Sequence, residues 1–377
     1  GDTRGYIRAY YVAYPAPFVE MNPRVKIVLH HLLRLIIGGV FLFSGFIKSV
    51  DPIGTSVFVE KYLSTYSATW LMPVALYIAV ALAAVEITMG VMLIVRAFLR
   101  VAYKVIAISI ILFTIITLLN ATILPIGECG CFGDAIRLTP IQSLLKNLVM
   151  LPIVVWLLRC AERDTFAWWK IGVVVCTIVV ALGVNLYAIR HLPIIDFMPY
   201  KVGLNLRDSI DKERVREEES VRSILLFKDK TTGNSVRFDA DNLECWSDDN
   251  LEYIDAYAQK IEAEDSKFSD FRIYDTNGEE CSLELLNREG RYLWLCIYSL
   301  DALNNNMLCK IKQLQERYPK PYITTIVASD ADAVSRLIAM PCYSMDAMTM
   351  RSMMRAPVGV LVIDDGVIID KRHIRDI

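Results

Sequence analysis

Apolar residues gather into five long runs separated by short polar breaks, at 27–47, 71–95, 101–125, 141–158 and 169–189. A helix needs roughly 20 apolar residues to cross the hydrocarbon core of a bilayer, so each run predicts a membrane span. The fourth is the weakest, being short and holding Lys146, Asn147 and Pro152. The first has no small-residue cleavage site and runs on into further spans, so it reads as an anchor and not as a removable leader.

Beyond residue 190 the pattern changes. Residues 191–203 (HLPIIDFMPYKVG) have two prolines and no helical period, which predicts a linker, and 211–222 are highly charged. Ser223–Lys228 and Ser235–Asp239 flank Thr232-Gly233-Asn234 and predict a hairpin. Phe271–Tyr274 and Tyr292–Tyr298 read as strands. A helix over Leu303–Tyr318, a strand over Ile323–Ala328, a helix over 330–339, and strands over Val358–Ile363 and Val367–Asp370 complete the order.

Composition agrees with this division. The apolar fraction is 54% and the charged fraction 22%, with a mean hydropathy of +0.38. Soluble domains average about 45–50% apolar, so a wholly water-soluble protein fits this composition poorly. Residues 1–190 carry 16 Lys+Arg against 9 Asp+Glu, net +7, whereas 191–377 carry 24 against 33, net −9. The second half has no basic tract, which argues against a nucleic-acid partner. Basic residues cluster before span one (Arg4, Arg8, Arg24, Lys26), between spans two and three (Arg96, Arg100, Lys104) and between spans four and five (Arg159, Arg163, Lys170). All three segments lie on one side if there are five spans, and positive loops mark the cytoplasmic side. The 3–4 loop and the C-terminal domain then face outward.

That 3–4 loop contains Gly127-Glu128-Cys129-Gly130-Cys131-Phe132-Gly133-Asp134. A disulfide closed over one glycine is a small strained ring and is easily exchanged, so Cys129 and Cys131 are candidate redox residues. A static clip of the loop is the other reading. CGCFGD after a third span resembles the signature loop of the MauE family, within the wider DoxX-like group. Arg34, Gly38, Gly39, Phe41, Ser44-Gly45, Lys48 and Asp51-Pro52 resemble that group's opening helix, and Glu86, Gly90 and Leu93 its second. The resemblance covers about 27–160. It implies a four-helix membrane domain in a bacterial inner membrane, linked to quinone-dependent oxidation and to maturation of a disulfide-rich periplasmic protein. Span five (161–190) exceeds that module and reads as a tether.

Ionisable groups inside spans are costly and usually face the bundle interior. Arg34 and Glu86 fall at similar depth, which predicts an ion pair between them. Lys48 and Lys146 lie near the outer ends, where they snorkel or favour a nearby thiolate. Asn120 is either interhelical glue or a donor to a quinone carbonyl. Arg34, Lys48, Glu86, Asn120 and Asp134 are thus the expected lining of a quinone pocket or of a polar network in the bundle.

The order of elements over 268–377 resembles the thioredoxin-like fold, with RAPVGVLVIDDGVIID similar to its cis-proline strand pair. An active member would carry Cys-x-x-Cys within Ser299–Asn306, where this chain has none. The domain is therefore expected to lack a dithiol cycle of its own. Five cysteines remain there and just before it, at 245, 281, 296, 309 and 342. Cys342 reads as a lone exchange thiol or as an ordinary buried cysteine. Methionines 340, 345, 348, 350, 353 and 354 read as core packing, as an adaptable docking face or as copper ligands.

The chain is expected to comprise a cytoplasmic segment (1–26), the membrane domain (27–160), the fifth span (161–190), a linker and hairpin (191–267), and an α/β periplasmic domain (268–377). The expected activity is electron transfer between extracytoplasmic thiols and a quinone-like acceptor, with lipid and a periplasmic client as partners. The alternative is a non-enzymatic scaffold for exported proteins, with CGC as a clip.

Overall fold

The computed structural model describes residues 22–122, 129–133, 135–161, 167–239, 243–248, 250–260, 268–318, 321–328 and 330–377. The N-terminal basic residues Arg4 and Arg8, Arg163 and Asp134 lie outside them. So does the side chain of Cys129. The chain divides into two compact units, 1–46 with 82–131 and 138–181, and 47–81 with 132–137 and 182–377.

Five helices among the described residues are long and apolar enough to cross a membrane. They contain α1 (Pro23–Val50), α3 (Ala75–Ile94, preceded by a 3-10 turn over Thr69–Val74), α4 (Leu99–Thr122), α5 (Pro140–Cys160) and α6 (Trp168–Arg190). Between the first two lies α2 (Pro52–Thr65), which the hydropathy pattern does not reveal. Its start is nevertheless written in the chain. Asp51 caps it by accepting the Gly54 N–H at 2.8 Å, and Pro52 takes the first turn.

The first unit packs α1, α3, α4 and α5 around Ile37, Phe41, Leu93, Tyr103, Ile106, Val154 and Leu157. Glycine lets two of these helices meet backbone to backbone. A Cβ at Gly45 would lie 2.6 Å from the Ile87 nitrogen, and one at Gly90 would lie 2.6 Å from the Leu42 nitrogen. Small residues at such crossings replace the hydrophobic drive that lipid cannot supply. Val28, Leu32, Ile108, Ile111, Leu112 and Ile115 remain exposed and are available to acyl chains.

In the second unit, α7 (Leu206–Ser220) precedes a three-stranded sheet ordered β4-β3-β5, made of β3 (Val221–Asp229), β4 (Ser235–Asp239) and β5 (Leu251–Lys260). The hairpin was legible; β5 was not. The larger sheet follows from β6 (Ile273–Tyr274), β7 (Arg291–Ile297), β8 (Ile323–Val327), β9 (Cys342–Met345), β10 (Val358–Asp364) and β11 (Val367–His373), with helices α8 (Ser282–Leu286), α9 (Asn305–Arg317), α10 (Ala331–Ile338) and α11 (Ala347–Met353). Its order is β11-β10-β7-β8-β9-β6. β7, β8 and β9 run parallel, and β10, β11 and β6 antiparallel to their neighbours. Both faces are covered. Tyr292, Trp294 and Cys296 enter one core with Met350, Met353 and Met354, while Leu293, Leu295 and Ile297 enter another with Met307, Ile311 and Leu314. A strand buried on both faces reads as a continuous apolar run, as YLWLCI does.

Candidate functional site

The cysteine loop is held from both sides. Strands β1 (Cys129–Phe132) and β2 (Ile136–Leu138) pair as a small two-stranded sheet. Gly133 follows β1 at φ +53, a left-handed conformation that glycine takes without steric cost. Downstream, Thr139 closes a capping box on α5, accepting the Gln142 N–H at 3.2 Å while its own N–H donates to the Gln142 side chain at 3.0 Å. On the α1 side, the buried Ser44 hydroxyl donates to the Cys131 carbonyl at 2.6 Å. The half-buried Cys131 is therefore placed by backbone pairing, a capped helix and a side-chain anchor.

Arg34 stands apart from the other polar residues expected to share one pocket. Arg34 does not follow the predicted pairing with Glu86. Its Nη1 donates instead to the carbonyls of Leu93 and, at 3.1 Å, Ile94, about two turns beyond Glu86 on α3. The last carbonyls of a helix have no partner within it and carry its negative dipole end, so a guanidinium there meets both needs. Asn120 lies 21 residues along α4 from Leu99, or about 30 Å at 1.5 Å per residue. Arg34 thus sits level with the α3–α4 turn, and Asn120 at the opposite end of α4, the end from which the chain runs on towards the cysteine loop. Lys48 is buried in the last turn of α1.

At the loop end the sequence reading missed part of a polar face. Thr117 and Asn120 on α4 are buried, as are Ser143 and Asn147, one turn apart on the packed neighbour α5. The Ser143 hydroxyl and the Asn147 amide nitrogen are shielded from solvent without a partner among the described residues. Unmet polar groups in an apolar bundle cost free energy, which makes them a place for a ligand with acceptor oxygens.

Three of the other thiols are poorly suited to exchange. Burial pushes the Cys296 thiol up to about 12 and the Cys342 thiol up to about 11. Burial, with Asp275 and Glu284 nearby, raises Cys281 to about 11. Exchange needs thiolate, and these three hold little near neutral pH. Cys309 is exposed on α9. Where a dithiol was looked for, a 3-10 turn (Leu300–Ala302) leads into α9, whose first turn is capped by Asn304. The methionines take the packing reading: Met340, Met345, Met350, Met353 and Met354 are buried and Met348 is exposed.

A second cluster was not foreseen. Arg355 lies almost fully buried with its Nε 3.0 Å from Asp51, its Nη1 donating to the Arg351 carbonyl at 2.9 Å and its Nη2 to the Met198 sulfur at 2.8 Å. Arg351 makes a bidentate pair with Glu60 at 2.6 and 3.0 Å and lies 5.6 Å over the Tyr298 ring. The available signal was the i, i+4 spacing of Arg351 and Arg355 on either side of a Met pair, which gives no hint of the partners.

Residues 26–160 match the family described as methylamine utilisation protein MauE. The chain is also 26% identical over 160 residues to protein TlpB of Flavobacterium psychrophilum, a stretch covering 40% of this chain and 43% of that relative. The match thus spans less than half the length of either protein. No solved structure matches the chain. The membrane part is MauE-like.

Proposed function

We propose that this MauE-like membrane protein passes electrons from extracytoplasmic thiols to a quinone-like acceptor, with Cys129 and Cys131 as the working pair. The observation that carries the reading is the placement of the Cys131 strand, tied to Ser44 and joined to the helix bearing Ser143 and Asn147. A client dithiol would be oxidised to a disulfide as the CGC disulfide opens to two thiols. The pair returns to the disulfide by losing two electrons and two protons.

The residues at this end of the bundle fit such an acceptor. The Asn147 amide and the Ser143 hydroxyl offer donors to carbonyl oxygens, and Asn120 offers a third polar side chain. A quinone, when bound, supplies the two-electron sink. Ser44 holds the Cys131 backbone in place. Arg34 takes no part in this reading, because it binds the carbonyls at the end of α3.

Basic residues at 24, 26, 96, 100, 104, 159 and 170 support a cytoplasmic N-terminus, with the CGC loop and residues 191–377 outside. Over 268–377 the β-α-β run through α9 and the antiparallel β10–β11 pair support a thioredoxin-like domain without its dithiol. In that role it would receive a client and leave the exchange to CGC.

The test uses the purified chain. Its CGC pair should be reducible by dithiothreitol and reoxidised by a soluble quinone analogue. Cys129→Ser or Cys131→Ser should abolish that reoxidation, and Cys296→Ser or Cys309→Ser should leave it intact. A pair that stays unreactive until denaturation, or loop variants that reoxidise like wild type, would hand the case to the scaffold reading.

A further inference from the structure

At the end of the membrane unit away from the cysteine loop, basic side chains gather around Arg34. That residue is 6% exposed, its Nη1 is taken by the carbonyls of Leu93 and Ile94, and its Nε is shielded from solvent without a partner among the described residues. His30 lies one turn earlier on α1, its ring 5.9 Å from that of Trp156 on α5 and 5.6 Å from that of His31. Its Nε2 is likewise shielded and unmet. Among the described residues, the ionisable groups that act on His30 are His31, Arg34 and Arg96, and those that act on Arg34 are Tyr103 and Arg96. No carboxylate is among them. The one described carboxylate of this unit is Glu86, about two turns before Leu93 on α3.

We propose that His30, Arg34 and Arg96 form a binding site for the phosphate of an anionic phospholipid, between α1 and the α3–α4 turn. A phosphate diester brings what this cluster lacks, a negative charge and oxygens that accept from guanidinium and imidazole N–H groups. Basic pockets between spans on the cytoplasmic side are a recurrent seat for anionic headgroups. The depth agrees. Counted back from Val50, where Asp51-Pro52 ends the span, about 30 Å of α1 at 1.5 Å per residue reaches His30. His30 and Arg34 therefore stand where the hydrocarbon core gives way to phosphate groups. The surroundings select a lipid over a free anion, because Val28, Leu32, Leu35 and Ile36 on α1 and Ile94 on α3 are exposed and offer acyl chains a surface. The site is separate from the cysteine chemistry and its test uses no quinone, so either idea can fail alone.

The probes are phosphatidylglycerol and phosphatidylcholine, titrated into the full chain in detergent, with bound lipid counted by native mass spectrometry. One phosphatidylglycerol should bind about tenfold more tightly than phosphatidylcholine. Arg34→Gln should weaken it by about tenfold, the loss of a charged hydrogen bond, and His30→Phe by about fivefold. Arg24→Gln, at the exposed start of α1, should weaken it by less than about twofold. Equal affinity for the two lipids overturns the proposal. A loss with Arg24→Gln as large as with Arg34→Gln also overturns it, since it marks a diffuse basic surface. Displacement of the lipid by millimolar inorganic phosphate does so too, since it marks a free-anion site. Arg34→Gln also removes a cap from α3. Should that variant fold poorly, His30→Phe carries the test, because it keeps a ring against Trp156 and removes only the nitrogens. An unchanged lipid preference in His30→Phe overturns the proposal equally.

Discussion

Arg355 shows what one residue can be asked to do. Its side chain is 4% exposed and that of Asp51 10%, so neither charge has water to fall back on. Removing one member of a buried pair costs about 3–5 kcal/mol, because the other is left charged and unpaired. Arg355→Ala should therefore lower the stability of the second unit by about that much in a denaturant or thermal titration. Arg372→Ala, whose pair with Asp370 is exposed, should cost under about 1 kcal/mol. His373 makes a pH-dependent contribution. Burial, with Arg375 adding to it, lowers its pKa to about 4, and its Nδ1 accepts the Arg375 N–H at 3.0 Å. The folded state holds the neutral ring while the unfolded chain takes up a proton near its ordinary 6.5. Stability is thus lost as pH falls from about 6.5 towards 4, by at most about 1.4 kcal/mol per pH unit. Comparing thermal midpoints at pH 7 and pH 5 in wild type and His373→Gln isolates this term; the variant should show the smaller drop.

Among the elements, the contact of α1 with α3 is the most exposed to challenge. Gly90 faces the Leu42 nitrogen and the Gly38 carbonyl, both backbone, so a larger side chain cannot be absorbed by a rotamer change. Gly90→Val should destabilise the membrane unit by about 1–3 kcal/mol and broaden its elution in detergent. Gly39→Ala should do neither, since nothing lies within 4 Å of that position. Both glycines belong to the pattern that suggested the family, and only geometry separates their roles. The elements themselves were unequally legible. The five spans stood out because twenty apolar residues admit few other fates, and YLWLCI because a strand covered on both faces has no polar side. Helix α2 stayed hidden because its buried positions are Pro52, Ile53, Gly54, Thr55 and Ser56, too polar and too short to show a helical stripe. Strand β5 (LEYIDAYAQK) stayed hidden because neither of its alternate sets of residues is consistently apolar, and positions 252–257 are exposed. The Arg34–Glu86 pairing failed because equal depth was taken for proximity, whereas helix-end carbonyls competed for the same guanidinium.

For the whole molecule, the basic excess of residues 1–190 against the acidic excess of 191–377 bears on the proposed orientation. Short loops rich in Lys and Arg stay on the cytoplasmic side, which favours an outward C-terminus, while the acidic excess of a long domain adds little to that choice. Exposed aromatics occur where helix ends would meet a bilayer surface, with Trp70 before span two and Trp168 and Trp169 opening span five. The molecule carries its own reporters of sidedness. Cys309 is exposed on α9, whereas Cys296 is 1% exposed within β7. In intact cells or right-side-out vesicles, a membrane-impermeant maleimide should label Cys309 without detergent and leave Cys296 untouched until denaturation. Replacing Cys309 by Ser should remove the outer-domain share of that label, which separates it from labelling of the CGC loop. If Cys309 instead reacts only after the membrane is opened, the C-terminal region is cytoplasmic. The CGC loop, joined to it through two spans, would then be cytoplasmic too, in a compartment that keeps thiols reduced, and the proposed exchange would lose its oxidising surroundings.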